Sequence, residues 1–213
     1  MSAMRVFVFN GWAAGPEAWR LCTFRHDWLF SYIEQLDGLP ERVMAETEAA
    51  VLVGFSMGGS SALRLTLAHP EKVRGLVLVS ATARMMEEKS QGWAGMSARR
   101  LAALKLGTET CFRGDPSPTY AQPDLDRGLA YLRSTDLRAD LLRARDRLGA
   151  FPVRIFQSER DGIVRPSNAT FLKEVFSQAE VTLVSGNEHV LPVTIPGQID
   201  AAVREVKGEG GER

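Results

Sequence analysis

The sequence predicts an α/β protein with a mainly parallel sheet of about six strands and helices on both faces. Three observations predict it. Short apolar runs rich in β-formers alternate with segments of helical spacing through residues 1–80 and again from 150 onward. The runs are apolar without polar alternation, as strands buried on both faces require. Between them, residues 81–149 lose the alternation and read as two or three helical stretches. A helical insertion of this kind falls at the C-terminal edge of the strands, where open α/β sheets bind ligands.

In chain order, Met4 to Phe9 is a buried strand closed by Asn10-Gly11. Pro16 suits the first turn of a helix running to about His26. Trp28 to Gln35 reads as a second strand, stopped at Asp37-Gly38, and Pro40 to Ala49 has helical spacing. Val51 to Val53 is an apolar strand run that stops at Gly54 and leads into a helix over about Met57 to Ala68, which ends at His69-Pro70. Val73 to Ser80 is a central strand. The insertion is broken at Arg113 to Pro118, where Gly, Asp, Pro and Ser concentrate. After it come a strand over Val153 to Gln157, a helix over Asn168 to Phe176, a strand over Val181 to Val184 and a last helix from Pro196 to Val206. The expected division is a core of residues 1–80 and 150–207, a helical lid at 81–149 and a disordered tail at 208–213.

Composition narrows the function. Twenty-six basic residues balance twenty-six acidic ones, so no overall field points to nucleic acid or a membrane surface. No N-terminal segment reads as a secretion signal and no apolar run approaches the length of a membrane span. The expectation is a cytoplasmic monomer without a metal or cofactor. Its two thiols, Cys22 and Cys111, lie outside any metal-ligand spacing and should be free.

The chemistry centres on Gly54-Phe55-Ser56-Met57-Gly58, placed between a strand and a helix. This is the setting of a nucleophile elbow, in which a strained serine projects its hydroxyl above the sheet. Its glycines stand where a side chain would collide with neighbouring backbone. A serine hydroxyl needs a general base, and the base an orienting acid. Of the three histidines, His69 closes the elbow helix at its far end, roughly 18 Å from the serine at the helical rise. His26 ends the first helical segment, and His189 lies in the loop after the last strand. A loop leaving that strand can fold back over the sheet to the elbow, so His189 is the candidate base. Asp161, in the loop after the preceding strand, completes the order Ser…Asp…His; Glu159 is the fallback. The oxyanion donors expected are the backbone N–H of Met57, next to the nucleophile, and that of Trp12, in the loop after the first strand.

With these residues in place the chain resembles the α/β-hydrolase superfamily, and more narrowly the pimeloyl-[acyl-carrier protein] methyl ester esterases of biotin synthesis. The likeness runs through Asn10-Gly11-Trp12, Trp19-Arg20, Gly54 to Gly59, His69 to Val73, Leu106 to Thr110, Thr135 to Arg138, Asp161 to Val164 and His189. It implies hydrolysis of the methyl ester of a pimeloyl chain carried on acyl carrier protein, with Ser56 as nucleophile, His189 as base and Asp161 as its orienting acid. A broader short-chain carboxylesterase or thioesterase acting on small esters would use the same residues, and a non-catalytic binding protein could keep the fold. The chain departs from the family in carrying Asn10 where histidine is usual. It starts on what the superfamily counts as its third strand, and it is short between Gly38 and Val51 and around Met85 to Ala98.

Residues 97–148 hold nine arginines and one lysine against seven acids. One reading is a solvated helical surface with local pairs such as Asp136, Asp140 and Arg143. The other is a basic dock for an acidic carrier protein, with Arg99, Arg100, Arg113, Arg138 and Arg143 as candidate contacts and Phe55 as a candidate substrate contact.

Overall fold

A computed structural model describes residues 4–84, 120–148 and 151–209. Six parallel strands form one sheet in the order β2-β1-β3-β4-β5-β6. They are β1 (Arg5–Phe9), β2 (Trp28–Phe30), β3 (Ala50–Phe55), β4 (Val73–Val79), β5 (Val153–Ser158) and β6 (Glu180–Val184). The order reverses at β1, so the first half of the chain winds outward one way and the second half the other. The crevice at such a reversal opens above the C-terminal ends of β1 and β3.

Side-chain alternation along the strands builds two apolar layers. Phe7, Phe9, Leu52, Leu76 and Leu78 face one side and pack with Leu63 and Leu65 of the helix α3 (Met57–Ala68). Val6, Val8, Val51, Val53, Val77 and Val79 face the other, against Ile199, Val203 and Val206 of the C-terminal helix over Pro196–Val206. Every residue of β3 is buried, as expected of a central strand covered on both faces.

The first half departs from the sequence reading in two places. Trp28–Phe30 is the whole of β2, and a helix α1 (Tyr32–Leu36) takes over from it. Ser31 caps that helix in a reciprocal box: its hydroxyl accepts from the Glu34 N–H, and the Glu34 carboxylate accepts from the Ser31 N–H. The Ser-x-x-Glu signal outweighs the β-propensity of Tyr32 and Ile33. The helix expected from Pro16 to His26 is a single 3-10 turn over Pro16–Trp19. Beyond it the Thr23 and Phe24 N–H groups donate to the buried carboxylate of Asp200, which holds the loop off a helical course.

The remaining helices are α2 (Leu39–Ala45), then α4 (Gln122–Ser134) and α5 (Arg138–Ala144) between β4 and β5, and α6 (Ser167–Val175). A helical turn α7 (Leu191–Thr194) follows the His189 loop and leads into the C-terminal helix, α8 (Pro196–Val206). Gly208 and Glu209, expected in a disordered tail, close α8 with hydrogen bonds to Glu205 and Arg204 carbonyls. The Arg113–Pro118 break and Cys111 lie outside the described residues. No helix among the described residues is long and apolar enough to cross a membrane.

Candidate active site

The strand β3 ends at Phe55 and α3 begins at Met57, so Ser56 alone makes the turn, at φ 55° and ψ −118°. The turn closes because Gly54 and Gly58 lack side chains. A Cβ on Gly54 would stand 2.6 Å from the Gly58 carbonyl oxygen, and one on Gly58 would stand 2.2 Å from that of Phe9. Both distances are far inside van der Waals contact, so these positions exclude any larger residue. The Ser56 N–H donates to Val79 O at 3.0 Å, tying the turn to β4.

The structure brings Ser56, His189 and Asp161 into one hydrogen-bonded line. His189 Nε2 lies 2.9 Å from Ser56 Oγ, and His189 Nδ1 lies 2.8 Å from Asp161 Oδ2. All three residues are buried. The other Asp161 oxygen, Oδ1, accepts from the N–H groups of Ile163 at 2.7 Å and Val164 at 2.9 Å. Gln157 Nε2 donates to Oδ2 at 3.2 Å and to Val164 O at 2.9 Å. The carboxylate is thus clamped on both oxygens, with its second lobe aimed at the imidazole. His69 caps the far end of α3, and its ring lies 4.0 Å from Glu71. Glu159 is exposed and pairs its N–H with the end of β6.

Trp12 is buried beside this line, and its indole N–H donates to Leu125 O of α4 at 3.1 Å. With Ala13, Tyr32 and Met57 it packs on Leu125, Leu129 and Leu132 of α4, forming a third apolar cluster over the C-terminal edge of the sheet. Ala13 is another residue in the left-handed region, at φ 57°. Tyr120 fastens the same loop from the other side, its hydroxyl donating to Ala14 O at 2.9 Å. Phe55, a candidate substrate contact, is fully buried, with its ring 5.2 Å from that of His189 and 6.4 Å from that of Trp19. These contacts make it a wall beneath the imidazole.

Of the five candidate docking arginines, Arg99, Arg100 and Arg113 lie outside the described residues. The other two are engaged with local acids, as the solvated-surface reading expects. Arg138 grips Asp136 through Nε at 3.0 Å and Nη2 at 2.9 Å, and Arg143 pairs with Asp140. The pairing is i,i+3 or closer, because Asp136 lies before α5 and meets Arg138 across the helix start.

A family model described as the alpha/beta hydrolase fold matches residues 46–124, from the end of α2 through the elbow into α4. The pimeloyl-[acyl-carrier protein] methyl ester esterase of Yersinia enterocolitica is 28% identical to this chain, over 70% of it and 66% of that protein. The enzyme of the same name from Edwardsiella ictaluri is 25% identical over 93% of this chain and 91% of its own length. A hydrolase from Pseudomonas aeruginosa PA01 superimposes with a TM-score of 0.72 at 18% identity, covering 98% of this chain and 91% of that one. The chain has the α/β-hydrolase fold.

Several supports of this α/β-hydrolase site carry no local sequence signal. Asn10, where the narrower family usually has histidine, accepts the Trp19 indole N–H on its Oδ1 at 2.6 Å. Buried Gln35 donates to the Asn10 carbonyl at 2.9 Å, and its Oε1 accepts from Ser61 Oγ of α3 at 2.7 Å. The loop after β1 and the elbow helix are therefore tied together through one amide. The Gln157 contact to Asp161 is likewise invisible to periodicity, since a polar residue near a strand end is commonplace.

Proposed function

We propose that the chain is a serine esterase that cleaves the methyl ester of a pimeloyl chain carried on acyl carrier protein, in biotin synthesis. The observation that carries the reading is the continuous line from Ser56 Oγ through His189 to Asp161, at 2.9 and 2.8 Å. Both distances fall within the hydrogen-bond reach a nucleophile and its base require. The methyl-ester substrate rests on the names of the Yersinia and Edwardsiella relatives.

In this reading Ser56 Oγ attacks the ester carbonyl carbon while its proton passes to His189 Nε2. Asp161 accepts a hydrogen bond from the His189 Nδ1–H, which keeps that proton on Nδ1 and presents an unprotonated Nε2 to the serine. The oxyanion is held by the N–H groups of Met57 and Trp12. Met57 opens α3, where backbone N–H groups have no partner within the helix. The tetrahedral species collapses, and methoxide leaves as methanol with the Nε2 proton. Water then gives a proton to Nε2 as it attacks the acyl-enzyme carbonyl. The second tetrahedral species expels Ser56 Oγ, which takes the Nε2 proton back, and the free acid is released. The α4 cluster over the loop supplies apolar surface for the methylene chain, and the 81–149 segment acts as a lid. The carrier docks on lid arginines, with Arg99, Arg100, Arg113, Arg138 and Arg143 the candidates.

The test starts with p-nitrophenyl acetate. Turnover should fall by about 10⁴-fold or more in Ser56→Ala; equal turnover by the variant would sink the serine mechanism. Methyl-pimeloyl carrier protein should then be hydrolysed with a higher kcat/KM than the free methyl ester. Equal values would leave a general carboxylesterase.

A further inference from the structure

Three described residues other than glycine hold a positive φ: Ala13, Ser56 and Ser80, the last at 45°. A residue with a Cβ is strained there, and such strain persists only where surrounding contacts demand it. Ser56 makes the elbow and Ala13 belongs to the loop carrying Trp12. Ser80 has no part in the proposed chemistry. It directly follows β4, is fully buried, and donates its N–H to Phe156 O of β5 at 2.8 Å. Its Oγ donates to the carbonyl oxygen of His189 at 2.8 Å.

One strand over, the last residue of β5 does the same thing one position earlier. Ser158 Oγ donates to Glu188 O at 2.5 Å, and Ser158 is also fully buried. Two successive carbonyls of the loop that carries the imidazole are therefore each held by a hydroxyl rooted in a different central strand. The loop runs from the end of β6 at Val184 to α7 at Leu191, and Gly186 within it sits at φ 125°. It has no regular structure of its own to fix the imidazole.

We propose that Ser80 and Ser158 are positioning residues, a pair of hydroxyls that seats His189 between Ser56 and Asp161. The proposal rests on the serine-esterase reading above and deepens it. The plain alternative is that the hydroxyls only satisfy buried carbonyls, which must be hydrogen-bonded in any fold. That role would lower stability and leave the chemistry alone.

Ser80→Gly separates the two, because it removes the hydroxyl and relieves the backbone strain at once. Ser158→Ala removes the other hydroxyl, Ser158→Thr keeps one, and Thr66→Ala is the control. Thr66 is buried and donates to Ala62 O at 2.8 Å, away from the histidine loop. Steady-state kinetics on p-nitrophenyl acetate would be read together with the downfield proton resonance of the His189 Nδ1–H···Asp161 bond. The expected result is a kcat lowered about tenfold in Ser80→Gly and in Ser158→Ala and about a hundredfold in the double variant of the two, at unchanged KM. The downfield signal should shift or broaden with them. Thr66→Ala should leave both readouts unchanged, and Ser158→Thr should restore kcat to within about twofold of the parent.

An active parent enzyme whose double variant keeps its kcat within about twofold would overturn the clamp. Should the double variant not fold, the two single variants decide by the same criterion. If the parent shows no ester turnover, the esterase reading fails. The resonance still judges the clamp: an unaltered signal in the variants overturns it, and an altered one upholds it.

Discussion

At the C-terminal edge of the sheet, the catalytic polar groups are buried and hydrogen-bonded to one another and to their supports. Asp161 is held from Gln157, Ile163, Val164 and His189, and His189 meets both Asp161 and Ser56. In α4 and α5, across the site, charged groups stand in solvent; Arg127 reaches Asp37, and others pair with neighbours in sequence. Arg138 takes Asp136 two residues away, and Arg143 takes Asp140 three away. Solvent-exposed pairs of this kind contribute about 0–1 kcal/mol. Buried hydrogen bonds set geometry, because removing one leaves a desolvated group with no substitute in water. The sheet edge therefore fixes the geometry of the site, and the exposed pairs of α5 can vary without disturbing it. What joins the two regions is the Trp12 indole, which packs with Leu125 and Leu129 and donates to Leu125 O, with Gly128 permitting the close approach.

The largest test of this contrast is Asp161→Asn. An asparagine can still accept from Ile163 and Val164 with its oxygen, but then presents an NH₂ to His189 Nδ1. The imidazole must accept there and carry its proton on Nε2, where it cannot take the serine proton. We expect kcat to fall by about 10²–10⁴-fold with little loss of stability. Ester turnover by the variant at the parent's rate would show that the buried line is only structural.

Gly128→Ala tests the joint between the regions. Its Cβ would lie 2.3 Å from Trp12 Cδ1 and 2.7 Å from Nε1, so either α4 or the indole must move. The expected cost is about 1–3 kcal/mol, read as a lower urea midpoint at unchanged slope. A midpoint equal to that of the parent would mean that α4 is not anchored on Trp12.

The smallest effect belongs to the exposed pairs. The Arg138 guanidinium holds the Asp136 carboxyl below the usual carboxylate range. A carboxyl whose folded pKa is depressed adds stability above its unfolded pKa, about 4. That contribution disappears as pH falls through the folded value. Asp136→Asn should therefore be less stable than the parent at neutral pH by at most about 1 kcal/mol. The two stability curves should meet in acid, and a gap that persists at low pH would show another role for Asp136.

How much of this was legible in advance follows the range of the interactions. The elbow could be read from Gly54-Phe55-Ser56-Met57-Gly58, because its steric demand falls on adjacent residues. The strands β1, β3, β4 and β5 could be read because continuous apolar runs report burial on both faces, whereas the edge strands β2 and β6 are partly or mostly exposed. The end of β2 could not be judged from β-propensity, and the Ser31–Glu34 box that closes it was a readable signal passed over. The helix expected from Pro16 was stopped by Asp200, 177 residues from Thr23, which no local pattern reports.

For the candidate site, the sequence by itself determined which serine, histidine and carboxylate could meet, through residue type and chain order on a parallel sheet. Only the tertiary structure decided what holds them. Ser80 and His189 are 109 residues apart and Trp12 and Leu125 are 113 apart. Hydrogen bonds over such separations depend on where strand ends and loops converge in space. A local sequence window records the hydroxyl or the indole but not the carbonyl that folding brings to it.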